Sequence, residues 1–157
     1  MRKLKLYLET SVWNFYYAED APERPAITRQ WFHSLPNNPF ELYASDIVID
    51  EINRATVNKR VQLFQLIETC QPLMLVMNAA ADELVNSYLT HQVLPASALY
   101  DAQPLAIATV AELDARVSWN LKHIANFNRQ QKVQTINLQN GYTKLLHTIT
   151  PMEVINL

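Results

Sequence analysis

Leu4-Lys5-Leu6-Tyr7-Leu8-Glu9-Thr10 alternates apolar and polar residues, then gives way to Ser11-Val12-Trp13-Asn14. Alternation at period two predicts a strand and the residues after it a loop, which leaves Glu9 at the strand's carboxyl end. Further along, the acidic, proline-punctuated stretch 18–25 predicts a loop, and Ile27, Trp31, Phe32 and Leu35 predict a helix over 26–35. After the break Pro36-Asn37-Asn38-Pro39, residues 40–44 read as a second strand. Ser45 or Asp46 can then cap a helix running from Ile47 to Arg54, with Glu51 in its second turn.

The same alternation continues. Residues 60–69 predict an amphipathic helix, 73–77 a short buried strand, and 79–91 a helix with Leu84, Tyr88 and Leu89 on one side. Residues 95–113 read as mostly helical but interrupted by Pro104. An interior proline costs about 3 kcal/mol and one in the first turn little, so Asp101 is expected near the start of the regular helix, as a candidate N-cap. Residues 115–118 read as a strand, 121–129 as a helix and 132–138 as the last strand. Strands alternating with helices imply one α/β domain over residues 1–157, with a mainly parallel central sheet covered on both faces.

Composition removes several function classes. The 157 residues contain a single glycine, Gly141, where average usage predicts about eleven. Glycine-rich dinucleotide fingerprints and phosphate loops are therefore excluded. Gly141 itself falls in an Asn140-Gly141-Tyr142 turn, where positive φ is commonly needed. The lone Cys70 excludes intramolecular disulfides and CxxC pairs, and its apolar flank predicts a buried, idle thiol. No uninterrupted apolar run reaches membrane-spanning length and the amino terminus lacks a secretory pattern, so a cytoplasmic protein is expected. The net charge of −2 conceals segregation, with residues 1–114 at −6 and residues 115–157 at +4. That pattern permits a carboxylate site beside a basic surface.

The acids fall where chemistry is expected in such a fold. Glu9 follows the first strand, Glu51 rides the helix after the second, Asp101 opens a later helix, and Asn120 follows the strand 115–118. All four can converge at the carboxyl edge of a parallel sheet. Oxygen ligands of this kind select Mg²⁺ or Mn²⁺. Spacing alone also leaves ordinary structural roles open: Glu9 as an exposed strand-end acid, Glu51 paired with Arg54, and Asp101 as a helix cap.

Four runs carry a resemblance across nearly the whole chain: Leu6-Tyr-Leu-Glu-Thr-Ser-Val12, Leu42-Tyr-Ala-Ser-Asp-Ile-Val-Ile-Asp-Glu-Ile52, Asp101-Ala-Gln-Pro-Leu-Ala-Ile-Ala-Thr-Val110 and Val117-Ser-Trp-Asn-Leu-Lys-His-Ile-Ala-Asn126. In order and spacing they resemble PIN-domain proteins of the VapC-type toxin group, and the tail around Asn137–Tyr142 and Thr150–Ile155 resembles one branch of it. The resemblance implies a Rossmann-like α/β/α endoribonuclease that binds Mg²⁺ or Mn²⁺, the toxin of a type II toxin–antitoxin pair. A small antitoxin protein and a homodimer are the implied partners, with the apolar helices around 60–91 as candidates for the dimer surface.

Carried over by position, Glu9, Glu51 and Asp101 are the implied metal-binding and catalytic acids, Asn120 stands at the fourth acidic position, and Thr10, Ser11 and Ser118 are supporting residues. Lys122, Arg129 and Arg54 would hold the RNA backbone, and Trp13 or Tyr16 could stack a base. The chain departs from the pattern in having Glu9 where the family usually has aspartate, and Pro104 where it has histidine. These departures leave a second expectation open, a PIN-fold protein that binds RNA or a protein partner without cleavage.

Overall fold

The computed structural model describes residues 2–19, 22–37, 40–91, 99–120 and 127–157. Five strands, β1 (Leu4–Leu8), β2 (Phe40–Ser45), β3 (Leu73–Leu75), β4 (Ala115–Val117) and β5 (His147–Ile149), form one sheet in the order β3-β2-β1-β4-β5. Every pairing is parallel, with Leu6 opposite Leu42 on one side and opposite Ala115 on the other. The chain steps outward from β1 to β3, then returns to the far side of β1 for β4 and β5. The strand order therefore reverses between β1 and β4, and parallel sheets bind ligands beyond the carboxyl ends of strands at such a reversal.

Consecutive burial identifies the central strands. Leu6, Tyr7 and Leu8 are all buried, as are Ala115, Arg116 and Val117, which requires cover on both faces of the sheet. The cover comes from α1 (Thr10–Phe15), α2 (Glu23–Ser34), α3 (Asp46–Asn53), α4 (Val57–Cys70), α5 (Ala79–Thr90), α6 (Leu99–Val110), α7 (Phe127–Gln139) and α8 (Pro151–Ile155). Helix α5 packs on α6 and α7, α2 on α8, and α1 on α2, α3 and α4. Caps set several of the starts. Ser45 Oγ accepts the Ile47 N–H at 3.2 Å, Asn78 Oδ1 accepts the Ala81 N–H at 2.8 Å, and Thr150 with Glu153 forms a capping box before α8.

Several expectations are corrected. Residues 10–15 are helix rather than loop, because Glu9 stays extended as the N-cap of α1 and its carbonyl accepts the Val12 N–H, burying Val12 and Trp13. Helix α2 starts at Glu23, three residues before the expected boundary, because Pro25 fits a first turn where no N–H is needed. Asp101 is not an N-cap but lies in the first turn of a helix that contains Pro104. The stretch 132–138 is not a strand but part of α7. Its buried residues, Val133, Ile136 and Asn137, are spaced for a helix, and the alternation of Val133, Thr135 and Asn137 imitates a strand.

The fifth strand is instead His147–Ile149, and Gly141, at φ +91°, ends a helix rather than following a strand. β3 is an edge strand with Leu73 and Met74 about half exposed, not a buried one. Of the expected helix 121–129, residues 121–126 lie outside the described residues. Cys70 is half-buried and burial pushes its thiol up to about 11, which keeps it inert.

Asp114 fastens the amino end of β4 to that of β1. Its carboxylate accepts the Lys5 N–H at 2.7 Å and both forks of the Arg2 guanidinium at 2.9 and 3.1 Å, with Lys144 Nζ at 3.1 Å. Burial alone would raise its pKa, but these donors hold the carboxyl down to about 2. A depressed carboxyl contributes stability that is complete above the unfolded value near 3.9 and is lost as pH falls toward the folded one. Asp114→Asn is therefore expected to lower the thermal midpoint at pH 6 by about 2–4 °C, the effect of about 1 kcal/mol after solvent screening around exposed Arg2. The difference from the unsubstituted protein should close between about pH 4 and pH 2 in a pH series of melts, and a constant gap would refute this assignment.

Candidate active site

Beyond the carboxyl ends of β1 and β4 lies a cleft of about 100 Å³. Glu9, Thr10, Ser11, Glu51, Asp101 and Asn120 line it, with Tyr7, Val48 and Pro104. Four elements thus deliver the residues: Glu9 to Ser11 come from the turn of β1 into α1, Glu51 from the second turn of α3, Asp101 from the first turn of α6, and Asn120 from the segment after β4. Asn120 is exposed at the mouth, whereas Glu9 is buried and not the exposed strand-end acid that spacing allowed.

Hydrogen bonds fix the frame around the acids. The Glu9 N–H donates to the Val117 carbonyl at 3.0 Å, continuing the β1–β4 ladder one residue past the strand. Ser11 Oγ accepts the Trp119 N–H at 3.0 Å, pinning the segment after β4 to α1, and Ser118 Oγ accepts the Asn120 N–H at 2.9 Å, fixing the turn within that segment. Tyr7 and Ser45 share a buried hydroxyl–hydroxyl bond of 2.7 Å, joining β1 to the cap of α3. Burial raises the Tyr7 pKa, so it remains a neutral phenol.

The electrostatics are those of crowded carboxylates. Burial raises the Glu51 pKa, the charges of Glu9 and Asp101 raise it further, and a longer interaction with Thr10 and the Arg54 charge oppose the rise. The Thr10 hydroxyl is buried and makes no hydrogen bond within ordinary distance. Arg116, on β4, places Nη1 3.5 Å from Glu9 Oε1, with both side chains buried. Among the described residues, no group of three or more His, Cys, Asp and Glu is arranged to hold a metal ion.

The other nominated residues lie apart. Arg129 lines a second cavity, of about 260 Å³, between α7 and the segment leading to β5, and Asp101 and Arg116 form part of its wall. Arg54 follows α3 at the surface, its N–H bonded to the Glu51 carbonyl. Lys122 falls outside the described residues. Trp13 is fully buried, donates Nε1–H to the Leu8 carbonyl at 3.3 Å and packs against Phe32, so it is no base platform. Tyr16 packs edge-on against Tyr17 and Phe32. Trp119 donates to Thr28 Oγ1 at 2.8 Å beneath Phe15 and Arg24.

Arg116 was not singled out by the sequence reading. A charged residue inside a short, otherwise apolar strand is the available signal, since a buried charge requires a partner.

The architecture is PIN-like: a parallel five-stranded α/β sheet with an acidic cleft at its switch point. Its fold is shared with the crystal structure of VapC20 from Mycobacterium tuberculosis, described as a sarcin-ricin loop cleaving toxin. The two match over 78% of this chain and 95% of that one, with a TM-score of 0.59 at 15% identity. No family model and no curated protein sequence matches the chain. Among the described residues, no helix is long and apolar enough to cross a membrane.

Because the folded state binds the Glu51 proton more tightly than the unfolded chain does, stability falls as pH rises from the ordinary glutamate value through the raised one. Glu51→Gln should therefore melt higher than the unsubstituted protein at pH 8, with the gain shrinking on acidification below that raised value. Thermal melts from pH 4 to 8 test this, and a variant that melts lower at pH 8 would show that Glu51 is not electrostatically burdened.

Proposed function

We propose that the chain is a Mg²⁺- or Mn²⁺-dependent endoribonuclease, the toxin of a toxin–antitoxin pair held in check by a small antitoxin protein. The observation that carries the reading is the convergence of Glu9, Glu51 and Asp101 on one cleft, close enough that the first and last raise the pKa of the second. Three carboxylates, the Asn120 amide oxygen and the Thr10 hydroxyl form an all-oxygen donor set, which suits a hard divalent cation. The fold shared with a protein described as a sarcin-ricin loop cleaving toxin supports the choice of RNA.

In this reading Glu9 and Asp101 hold the cation, which supplies Lewis acidity toward water and the phosphate oxygens. Glu51, its pKa raised chiefly by burial, orients the attacking water and takes its proton. Asn120 offers its amide at the mouth without adding charge. Ser11 and Ser118 act through the backbone they hold, keeping Asn120 over the cleft. Arg129, Lys122 and Arg54 would neutralise backbone phosphates. A homodimer would close over helix α4, which exposes Val57 and Val61.

Two observations favour a second reading, a PIN-fold protein that binds RNA or a protein without cutting it. Glu9 lies against Arg116, and Pro104 forms part of the cleft wall. One experiment separates the two. Purified protein is incubated with single-stranded and hairpin RNA in Mn²⁺, in Mg²⁺ and in chelator, beside Asp101→Asn and the doubly substituted Glu9→Asp, Pro104→His. The ribonuclease reading expects divalent-dependent cleavage that drops at least about a hundredfold in Asp101→Asn. Equal cleavage by Asp101→Asn would overturn it, and cleavage only by the double variant would establish the second reading.

A further inference from the structure

Arg116 occupies the middle of β4 between alanine and valine and is only 5% exposed. A guanidinium withdrawn this far from water must be met by charge and by hydrogen-bond acceptors. The sheet register supplies both. Arg116 stands opposite Tyr7 on β1 and Thr148 on β5. Its Nε and Nη2 donate to Thr148 Oγ1 at 3.4 and 3.2 Å. Glu9, two residues beyond Tyr7 in extended backbone, presents its side chain on the same side of the sheet and reaches Arg116 Nη1 at 3.5 Å. An aspartate at position 9 would be one methylene shorter and would fall back from that contact.

We propose that Arg116 is a positioning residue for Glu9 and the resident countercharge of the acidic cleft. It holds the Glu9 carboxylate while no divalent cation is bound, and a cation must compete with it for that carboxylate. The inference rests on the reading above that the cleft takes a divalent cation. Three features support it. Arginine does not lose its proton in proteins, so the opposing charge is permanent. The pair is buried, where solvent screens it weakly. Glu9 also lines the acidic cleft itself, so its contact with Arg116 at 3.5 Å reaches into the site.

The test measures Mn²⁺ binding without RNA, by calorimetry and by the Mn²⁺-induced rise in thermal midpoint. The proteins are the unsubstituted chain, Arg116→Met, Arg116→Lys, Glu9→Asp, and Glu9→Asp combined with Arg116→Met. Arg116→Met should bind Mn²⁺ at least about tenfold tighter, as expected when a neighbouring like charge is removed from a buried site. Arg116→Lys, which keeps the charge, should stay within about threefold of the unsubstituted protein. Glu9→Asp should also bind tighter, but should change affinity less when Arg116 is already Met, because the two substitutions release the same contact.

Unchanged or weaker Mn²⁺ binding by Arg116→Met overturns the proposal. If that variant does not fold, Glu9→Asp decides, and affinity equal to or below that of the unsubstituted chain overturns it. The two readings fail separately. Gains in Mn²⁺ binding without RNA cleavage by any variant sink the nuclease alone, whereas cleavage with no Mn²⁺ gain on substituting Arg116 sinks the countercharge alone.

Discussion

A strand of three residues has few ladder hydrogen bonds with which to hold its register, and β4 is such a strand beside the central strand β1. It is secured from outside. Before it, Asp114 gathers Arg2, the Lys5 N–H and Lys144; after it, the Val117 carbonyl takes the Glu9 N–H and the Ser118 N–H reaches Ile149. Between these ends Arg116 spans from Thr148 to Glu9. The seam between β1 and β4 is where strand order reverses, so the same contacts that set the sheet register also set the distance between the two chain segments that leave it into the cleft.

The remaining acids depend on that seam indirectly. Ser45 ends β2, caps α3 and bonds the Tyr7 hydroxyl, so one side chain ties the position of Glu51 to β1. Asp101 rides the first turn of α6, where the helix dipole favours a negative charge, and α6 is held against α5. Farther out, the Tyr88 hydroxyl donates to Asn137, joining α5 to α7 through a buried polar bond. Polar contacts inside this protein thus mark joints between elements, while Leu6, Leu8, Trp13, Trp31 and Leu84 fill the space between them.

Much of this was legible in the sequence, and the failures have specific causes. The β1 alternation, the Ser45 cap and the four cleft residues are local patterns whose meaning survives folding, because strands of a parallel sheet all end at one edge. The 132–138 stretch misled because Val133, Thr135 and Asn137 satisfy period two while Val133, Ile136 and Asn137 satisfy the helical period, and burial chose the latter. β5 is too short to show a period at all. β3 is apolar yet half exposed because it lies at the sheet edge, a fact of strand order that no local pattern encodes. The Glu9–Arg116 contact joins residues 107 positions apart, so only the β1–β4 register reveals it.

The single glycine bears on the site as well as on composition. A protein that binds phosphate through glycine-rich backbone uses N–H dipoles, which are neutral and cost little to bury. This cleft is instead lined by ionisable side chains, which repel one another when crowded into about 100 Å³. Burial is the largest cause of the raised Glu51 pKa, and repulsion from Glu9 and Asp101 adds to it. Helix dipole at Asp101 and guanidinium at Glu9 each offset part of the repulsion from within the fold, while Thr10 and the Arg54 charge oppose the rise at Glu51. Burial and the two neighbouring carboxylates thus act on Glu51 in the same direction, favouring its protonated form.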